Sequence, residues 1–583
     1  MSVEIVRREG CVAPGEGAWA SDVDFNGLLA RLYSLRGAGD PADTDYALSN
    51  LLPPAGLRGL SQASALLLDA VQRERAIVVV GDFDVDGATS TALAVAALRA
   101  MGHRRVDFIV PNRFAFGYGL STGIVDLVQQ GGGELIITVD NGISSIDAVA
   151  AANAAGIDVL VTDHHLPGAE LPAAAAIVNP NQPGCTFSSK ALAGVGVIFY
   201  VMTALRRSLR DAGWFTDQGI PEPNMAQFLD LVALGTVADV VPLDHNNRIF
   251  VHQGIKRMRA GKVRPGIAAL LRVGGRRVDT LVAADLGFAV GPRLNAAGRL
   301  DDMSHGIRCL LSADDAAAER AARALDELNL ERRDIEQDMK EEAVACVERM
   351  DLQESRLPFG LCLFEQGWHQ GVVGILAARI REKYHRPVIA FASSGKDDGL
   401  LKGSARSVPG FHIRDALDRI AVSQPGLIRK FGGHAMAAGL ELALEDYPAF
   451  AAAFDRVVMA QLSMADLRGR VVSDGELPPR CLGLGLAQVL RDSGPWGQQF
   501  PEPVFDGEFT LLAQRLVGAK HLKLSLAPVA DPGNELDAIW FNIDPAQWPS
   551  PQVLTARVAY RLDVNEYRGL VNPQLLVDHI EPL

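Results

Sequence analysis

Gly-Asp-Phe-Asp-Val-Asp-Gly (81–87) puts carboxylates at Asp82, Asp84 and Asp86, directly after the β-branched run Ala-Ile-Val-Val-Val (76–80). Like charges this close repel unless a cation sits among them. An EF-hand loop also begins in this way, but it needs a bidentate acid further on, where Thr91–Val95 reads as apolar helix. The pattern recurs. Leu-Ile-Ile-Thr-Val (135–139) ends on Asp140, Val-Leu-Val-Thr (159–162) ends on Asp163, His164 and His165, and Asp239 lies in Ala-Leu-Gly-Thr-Val-Ala-Asp-Val-Val (233–241). Taken singly, a strand-end Asp is as readily a helix N-cap, and Asp239 a buried cap. Taken together, these groups are a carboxylate and imidazole donor set suited to manganese, magnesium or zinc, with no thiolate to favour a softer ion. The donors exceed what one ion needs. Two ions about 4 Å apart, bridged by a carboxylate and a water, would use them to activate that water for in-line attack on phosphorus.

Such convergence requires the strands to end side by side. Strand candidates at 76–81, 106–110, 134–139, 159–162 and 176–178 alternate with helix-length segments, which predicts an α/β lobe with an open, largely parallel sheet covered on both faces. Ligands of such sheets sit outside the carboxyl ends of the strands, where the acidic groups fall. Residues 312–350 contain no Gly or Pro and predict one long helix joining two lobes. A second α/β unit follows, and the remainder, with short β-type runs between Gly/Pro turns, predicts a small β-barrel. The expected organisation is an N-terminal extension packed on the first lobe (1–70), a catalytic lobe (71–311), a linking helix (312–352), a substrate-binding lobe (353–460) and a barrel of oligonucleotide-binding type (461–583). Leu-Ala-Gly-Val-Gly-Val (192–197) lacks the third glycine of a dinucleotide loop and reads as close helix packing.

Composition excludes several classes. At 583 residues, 48% hydrophobic and 22% charged, the chain has the balance of an ordinary globular protein. Its longest apolar run, 191–205, is short of a membrane span, and its first residues carry no apolar leader, so a cytoplasmic enzyme is expected. The six cysteines form no Cys-x-x-Cys pair, which argues against a disulfide framework or a zinc ribbon. A net charge of −14 argues mildly against a passive DNA-coating protein and is neutral for a nuclease that commits carboxylates to metal.

The acidic and histidine motifs resemble those of the DHH phosphoesterases, Asp163-His164-His165 being the triplet that names the superfamily. The resemblance implies Asp86, Asp140, His164 and Asp239 around one Mn2+ or Mg2+, with Asp82, Asp84 and the bridging Asp140 around a second. It further implies that His165 faces the scissile phosphate and that Asp163 orients the histidines. Val-Pro-Asn-Arg-Phe (110–114), Gly-Tyr-Gly-Leu (117–120) and Gly-Pro-Arg-Leu-Asn-Ala-Ala-Gly-Arg (291–299) look like segments of the RecJ branch. Gly-Trp-His-Gln-Gly-Val-Val-Gly-Ile (367–375), Gly-Ser-Ala-Arg-Ser (403–407) and Gly-Gly-His-Ala-Met-Ala-Ala-Gly (432–439) resemble the DHH-associated domain.

That branch implies a 5′ to 3′ exonuclease specific for single-stranded DNA, which releases mononucleotides. Ser404 and Arg406, with Arg113, would hold the terminal 5′ phosphate, as a hydroxyl and bidentate guanidinium can. Arg293, Asn295, Arg299 and His434 are candidates for backbone contact, with a structural ion pair or cap as the alternative for each. On the barrel, Arg515, Lys520, His521 and Lys523 near Trp540 and Phe541 suit a strand-binding groove, or equally an ordinary barrel rim and core. The resemblance implies a monomer acting in recombinational and mismatch repair, with a helicase and a single-strand-binding protein as partners. The rivals are another DHH hydrolase, acting on short oligonucleotides, cyclic dinucleotides or pyrophosphate, and a catalytically dead scaffold, which would have lost ligands.

Overall fold

The computed structural model describes residues 3–10, 25–111, 119–349, 357–395, 399–518, 520–567 and 569–583. The chain opens on a short strand, β1 (Val3–Arg7), whose partner comes near the other end. The first lobe is built on β2 (Ile77–Val80), β3 (Val106–Ile109), β4 (Leu135–Val139), β5 (Asp158–Thr162) and β6 (Ala176–Val178). All pairs are parallel, in the order β3-β2-β4-β5-β6. β4 is buried at every position because helices cover both faces, which is why it reads as a continuous apolar run. The strand order reverses between β2 and β4, where a parallel sheet leaves a crevice at its carboxyl edge. Val80 lies level with Thr138, and Val139 with Thr162, so the chain leaves all three central strands at nearly the same height.

Helix Asp315–Arg349 joins the lobes as expected. Ala318, Ala322 and Leu325 pack into the first lobe, and Met339, Ala343 and Val347 into the second. The second lobe holds β7 (Leu361–Phe364), β8 (Val388–Ser393), β9 (Leu400–Arg406), β10 (Lys430–Gly433) and β11 (Ala437–Ala443), in the order β10-β11-β9-β8-β7. After β12 (Gly469–Ser473) come β13 (Phe505–Val517), β14 (His521–Pro528), β15 (Leu536–Phe541), β16 (Thr555–Tyr567) and β17 (Leu570–Pro582). They close into a barrel, β13-β14-β15-β17-β16, filled by alternate inward residues such as Leu522, Leu524 and Leu526. Among the described residues no helix is long and apolar enough to cross a membrane.

The N-terminal extension divides, where the sequence reading placed it wholly on the first lobe. Leu57, Leu60, Ala63 and Leu67 do pack there, but β1 pairs in parallel with β12, and Leu28 and Leu32 enter the barrel core. The buried carboxylate of Asp506 fastens this arrangement. It accepts from Arg7 Nε and Arg557 Nε at 2.9 Å each and from Ser473 Oγ at 2.5 Å. Burial opposes its charge, but these bonds outweigh it and hold its pKa below the ordinary carboxylate value. Asp506→Ala is expected to cost about 2–3 kcal/mol, the lower end for breaking a buried ion pair because both arginines still reach water. A lower denaturation midpoint together with lost hydrogen-exchange protection in β1 would register it.

Candidate metal centre

Asp82, Asp140 and Asp163 follow the carboxyl ends of β2, β4 and β5, and Asp84, Asp86 and Asp239 lie at helix ends. Asp84 caps helix Val85–Ala100, accepting the N–H of Gly87 at 3.0 Å, a role the sequence reading did not give it. Asp86, in the first turn of that helix, is 1% exposed. Its two oxygens accept the backbone N–H groups of Gly194 (2.6 Å) and Val195 (2.9 Å), at the start of helix Gly194–Asp211. The Gly-Val-Gly segment is thus a helix N-terminus aimed at a carboxylate. Gly194 is obligatory there, since a Cβ would lie 2.8 Å from Asp140 Cβ.

Asp140 leaves β4 with φ 61°, a left-handed conformation that costs a non-glycine residue energy and clusters at functional sites. The next residue supports the bend. Asn141 Nδ2 donates to the carbonyls of Val80 and Val139, and its Oδ1 accepts the N–H of Leu120. Asp163 Oδ1 accepts the N–H groups of His164 (2.7 Å) and His165 (3.1 Å) and bonds His165 Nδ1 at 2.8 Å, while Oδ2 accepts from Ile143. Asn179 and Asn181 donate to the carbonyls of His165 and His164. Both rings are thereby held by their own backbone. Asp239 ends helix Leu229–Ala238.

These groups converge. Asp86, His164 and Asp239 bring donor atoms within 4.8 Å of one another, as do Asp82, Asp84 and Asp140, and Asp140 forms a third such set with His164 and His165. His164 Nε2 is 3.1 Å from Asp140 Oδ1 and 3.5 Å from Asp239 Oδ2, yet it is buried without a hydrogen-bond partner among the described residues. Burial, and then repulsion from neighbouring carboxylates, pushes Asp86 and Asp140 well above the ordinary carboxylate range; burial likewise raises Asp239. Burial holds His164 down, keeping its ring neutral and able to donate a lone pair. His165 differs: burial opposes its charge, but the bond to Asp163 and the surrounding acids raise it to about 9. Oxygen and imidazole donors in two overlapping sets, destabilised by their own charge, fit a pair of hard divalent cations.

The other sequence-predicted residues distribute unevenly around this centre. His434 of the second lobe brings its ring to 6.3 Å from His165, nearly parallel. Arg299 donates to the carbonyl of Gly371, across the lobe boundary, at 3.0 Å. Asn295 is half-buried on the same helix, Gly291–Leu300. Arg293 is committed to Asp326 of the linking helix at 2.8 Å and to the carbonyl of Ala289. Ser404 and Arg406 bond each other on β9. Arg113, with the rest of 112–118, lies outside the described residues. On the barrel Arg515 and Lys520 are exposed, Lys523 is paired with Asp537, Trp540 packs edge-on against Trp548, and Phe541 is half exposed beside His521.

Residues 76–236 match the DHH family N-terminal domain, 356–460 the DHHA1 domain and 473–579 the RecJ OB domain. The chain is 56% identical over 556 residues to the single-stranded-DNA-specific exonuclease RecJ of Dickeya dadantii, covering 95% of this chain and 96% of that one. The chain belongs to the RecJ family. The Escherichia coli RecJ is 54% identical over the same shares. The crystal structure of RecJ in complex with Mn2+ from Thermus thermophilus superposes with a TM-score of 0.76 at 29% identity, over 96% of this chain and 76% of that one. The parallel lobe, second α/β lobe and barrel described above are therefore the RecJ architecture.

Sequence reasoning missed the residues that hold these groups: Gly194 and Val195, Asn141, and the asparagines of Asn-Pro-Asn (179–181). Glycines opening an apolar helix were the available signal for the first pair. The asparagines serve carbonyls far away in sequence, so nothing local marks them.

Proposed function

We propose that this protein hydrolyses single-stranded DNA from the 5′ end, releasing mononucleotides with the help of two Mn2+ or Mg2+ ions. The observation that carries the reading is the pair of donor sets sharing Asp140, in a chain more than half identical to exonucleases of stated single-strand specificity. Asp86, His164, Asp239 and Asp140 hold one ion, and Asp82, Asp84 and Asp140 the other. Bound there, the ions supply an activated water and offset charge building on phosphorus. His165, its ring oriented by the bond between Nδ1 and Asp163, faces the scissile phosphate.

The 5′ phosphate lies against Ser404 and Arg406, with Arg113. Gly374 supports this placement: a Cβ there would come to 3.0 Å from Ser404 Oγ and 3.1 Å from Arg406 Nη2, so its absence keeps that corner open. Arg406 makes no carboxylate pair among the described residues, which leaves its charge for an anion. Asn295, Arg299 and His434 line the strand's approach, Arg293 braces the helix that carries Asn295 and Arg299, and Arg515 and Lys520 guide the strand on the barrel beside the Lys523–Asp537 pair. The protein works as a cytoplasmic monomer in recombinational and mismatch repair, beside a helicase and a single-strand-binding protein.

End-labelled DNA tests this directly. Metal-dependent release of mononucleotides from free 5′ ends, abolished by EDTA and absent from duplex ends, is the expected result. Activity confined to di- and trinucleotides would replace the reading with a short-oligonucleotide hydrolase.

Ion binding has its own signature. Asp86, Asp140 and Asp239 sit above the unfolded carboxylate pKa of about 3.9. The ion-free folded state therefore retains protons that the unfolded chain releases, and this stability is full below that pKa and is lost as pH rises past it. Bound Mn2+ opposes the loss. At one fixed concentration, about 100 times the Kd at pH 8, a bound ion is expected to add about 2.7 kcal/mol near pH 8 and markedly less near pH 5, where protons compete for the same carboxylates. Equal melting shifts at both pH values would refute binding at this cluster.

A further inference from the structure

A cleft of about 940 Å³ lies between the first lobe and the barrel, and Ala238 and Val240, the neighbours of Asp239 in sequence, line it. Its walls carry charge of both signs, but the cations are largely spent. Arg259 pairs with Asp492 at 3.4 Å, Arg276 with Asp285 at 3.0 Å, and Arg561 with Glu502 at 3.2 Å. A cleft neutralised in this way offers little to a phosphate chain as such. It offers apolar surface instead. Phe288 is 82% exposed and Val240 61% exposed, and both face it. An exposed aromatic ring presents a flat apolar face on which a base can stack.

The backbone around these two residues is unusual in ways that tie them to the metal centre. Val240 directly follows Asp239 and has φ 60°, a conformation that a β-branched residue adopts only at a cost. Phe288 sits in a single π turn, Leu286–Val290, a helical irregularity frequent at functional sites. That turn packs on the helix bearing Asp239: added Cβ atoms on Gly287 and Gly291 would fall 3.4 Å from Val237 Cγ1 and 3.8 Å from Ala238 Cβ. The turn therefore fixes an exposed ring beside the last residues before a metal donor, in the cleft between the first lobe and the barrel.

We infer that Phe288, flanked by Val240, is a stacking post for a base of the retained strand, on the 3′ side of the scissile bond. The inference rests on the exonuclease reading. A 5′ end held on the second lobe and a scissile phosphate at the metals leave the body of the strand to run past Asp239, toward the barrel. A base stacked on a fixed ring keeps its phosphates turned to Lys256 and solvent, away from the paired charges of the walls. Stacking is indifferent to base identity, as a sequence-independent exonuclease requires. It also holds the strand while one nucleotide leaves.

The test compares kcat/KM for a long single strand with kcat/KM for a 5′-phosphorylated dinucleotide too short to reach the cleft. In Phe288→Ala the ratio is expected to fall about tenfold, the order of one lost stacked base, chiefly through KM on the long strand. Phe288→Trp restores it, and Phe288→Leu does not. With turnover stopped by EDTA, 2-aminopurine placed downstream of the 5′ end is quenched less by Phe288→Ala than by the wild type. A ratio within about twofold of wild type, or full rescue by Leu, overturns the stacking role. A wild-type protein that hydrolyses neither substrate brings down the exonuclease reading itself, a failure visible without any variant.

Discussion

Asp140→Asn is expected to reduce strand hydrolysis by about a thousandfold or more, a loss of roughly 4 kcal/mol of transition-state stabilisation. Asp140 belongs to both proposed ion sets, so neutralising it weakens both ions at once, whereas Asp82 or Asp239 would weaken one. Asparagine is the informative replacement. It keeps the side-chain shape and tolerates the left-handed backbone at φ 61° better than alanine or any branched residue. Folding should not suffer, because the substitution removes one of several buried carboxylates that repel one another. In EDTA the variant should melt no lower than the wild type, and the Mn2+-induced rise in melting temperature should shrink. Substantial residual turnover would mean that Asp140 is a structural cap and that the ions lie elsewhere.

Gly298→Ala is expected to be the next most damaging change to turnover, about a hundredfold, while touching no donor. Helix Gly291–Leu300 crosses the acidic loop so closely that a Cβ on Gly298 would lie 1.8 Å from the Phe83 carbonyl oxygen, between Asp82 and Asp84. Neither side is a flexible side chain, so the loop or the helix must move by more than an ångström. Displacements of that size cost about a hundredfold in rate when they misplace reacting groups, and overpacking of this kind costs about 1–3 kcal/mol in stability. Gly291→Ala, in the same segment, is the control: its added Cβ would meet nothing nearer than 3.4 Å and should be mild. Equal effects from the two would show that the segment needs flexibility rather than close approach. The contrast gives Gly-Pro-Arg-Leu-Asn-Ala-Ala-Gly-Arg (291–299) a physical meaning, as a helix that sets the height of the Asp82–Asp84 loop against Asp239.

The donors Asp82, Asp140 and His164 were legible before any fold was known because each closely follows a β-branched run, whereas Asp239 ends a helix and had no such marker. A strand end in a parallel sheet is a local pattern with a predictable position, so Asp82, Asp140 and Asp163-His164-His165 could be placed at one edge from periodicity alone. The long helix was legible for a similar reason, since 312–350 has no breaker, and the barrel from its alternating strands. These properties depend on residues a few positions apart.

What tertiary structure alone decided are the partners. β1 finds β12 at the other end of the chain, and the choice turns on Asp506 meeting Arg7, which no local period encodes. In the sequence Arg293 and Lys523 are candidates for DNA contact, with an ion pair or a place on the barrel rim as the alternative, and the fold brings them to Asp326 and Asp537. The amides of Gly194 and Val195 reach Asp86, and His434 reaches His165, only once helices and lobes have packed. A side chain's type and spacing determine which chemistry it can offer. Whether that capacity is left open for a ligand or satisfied within the protein depends on groups that are distant in sequence and near in space.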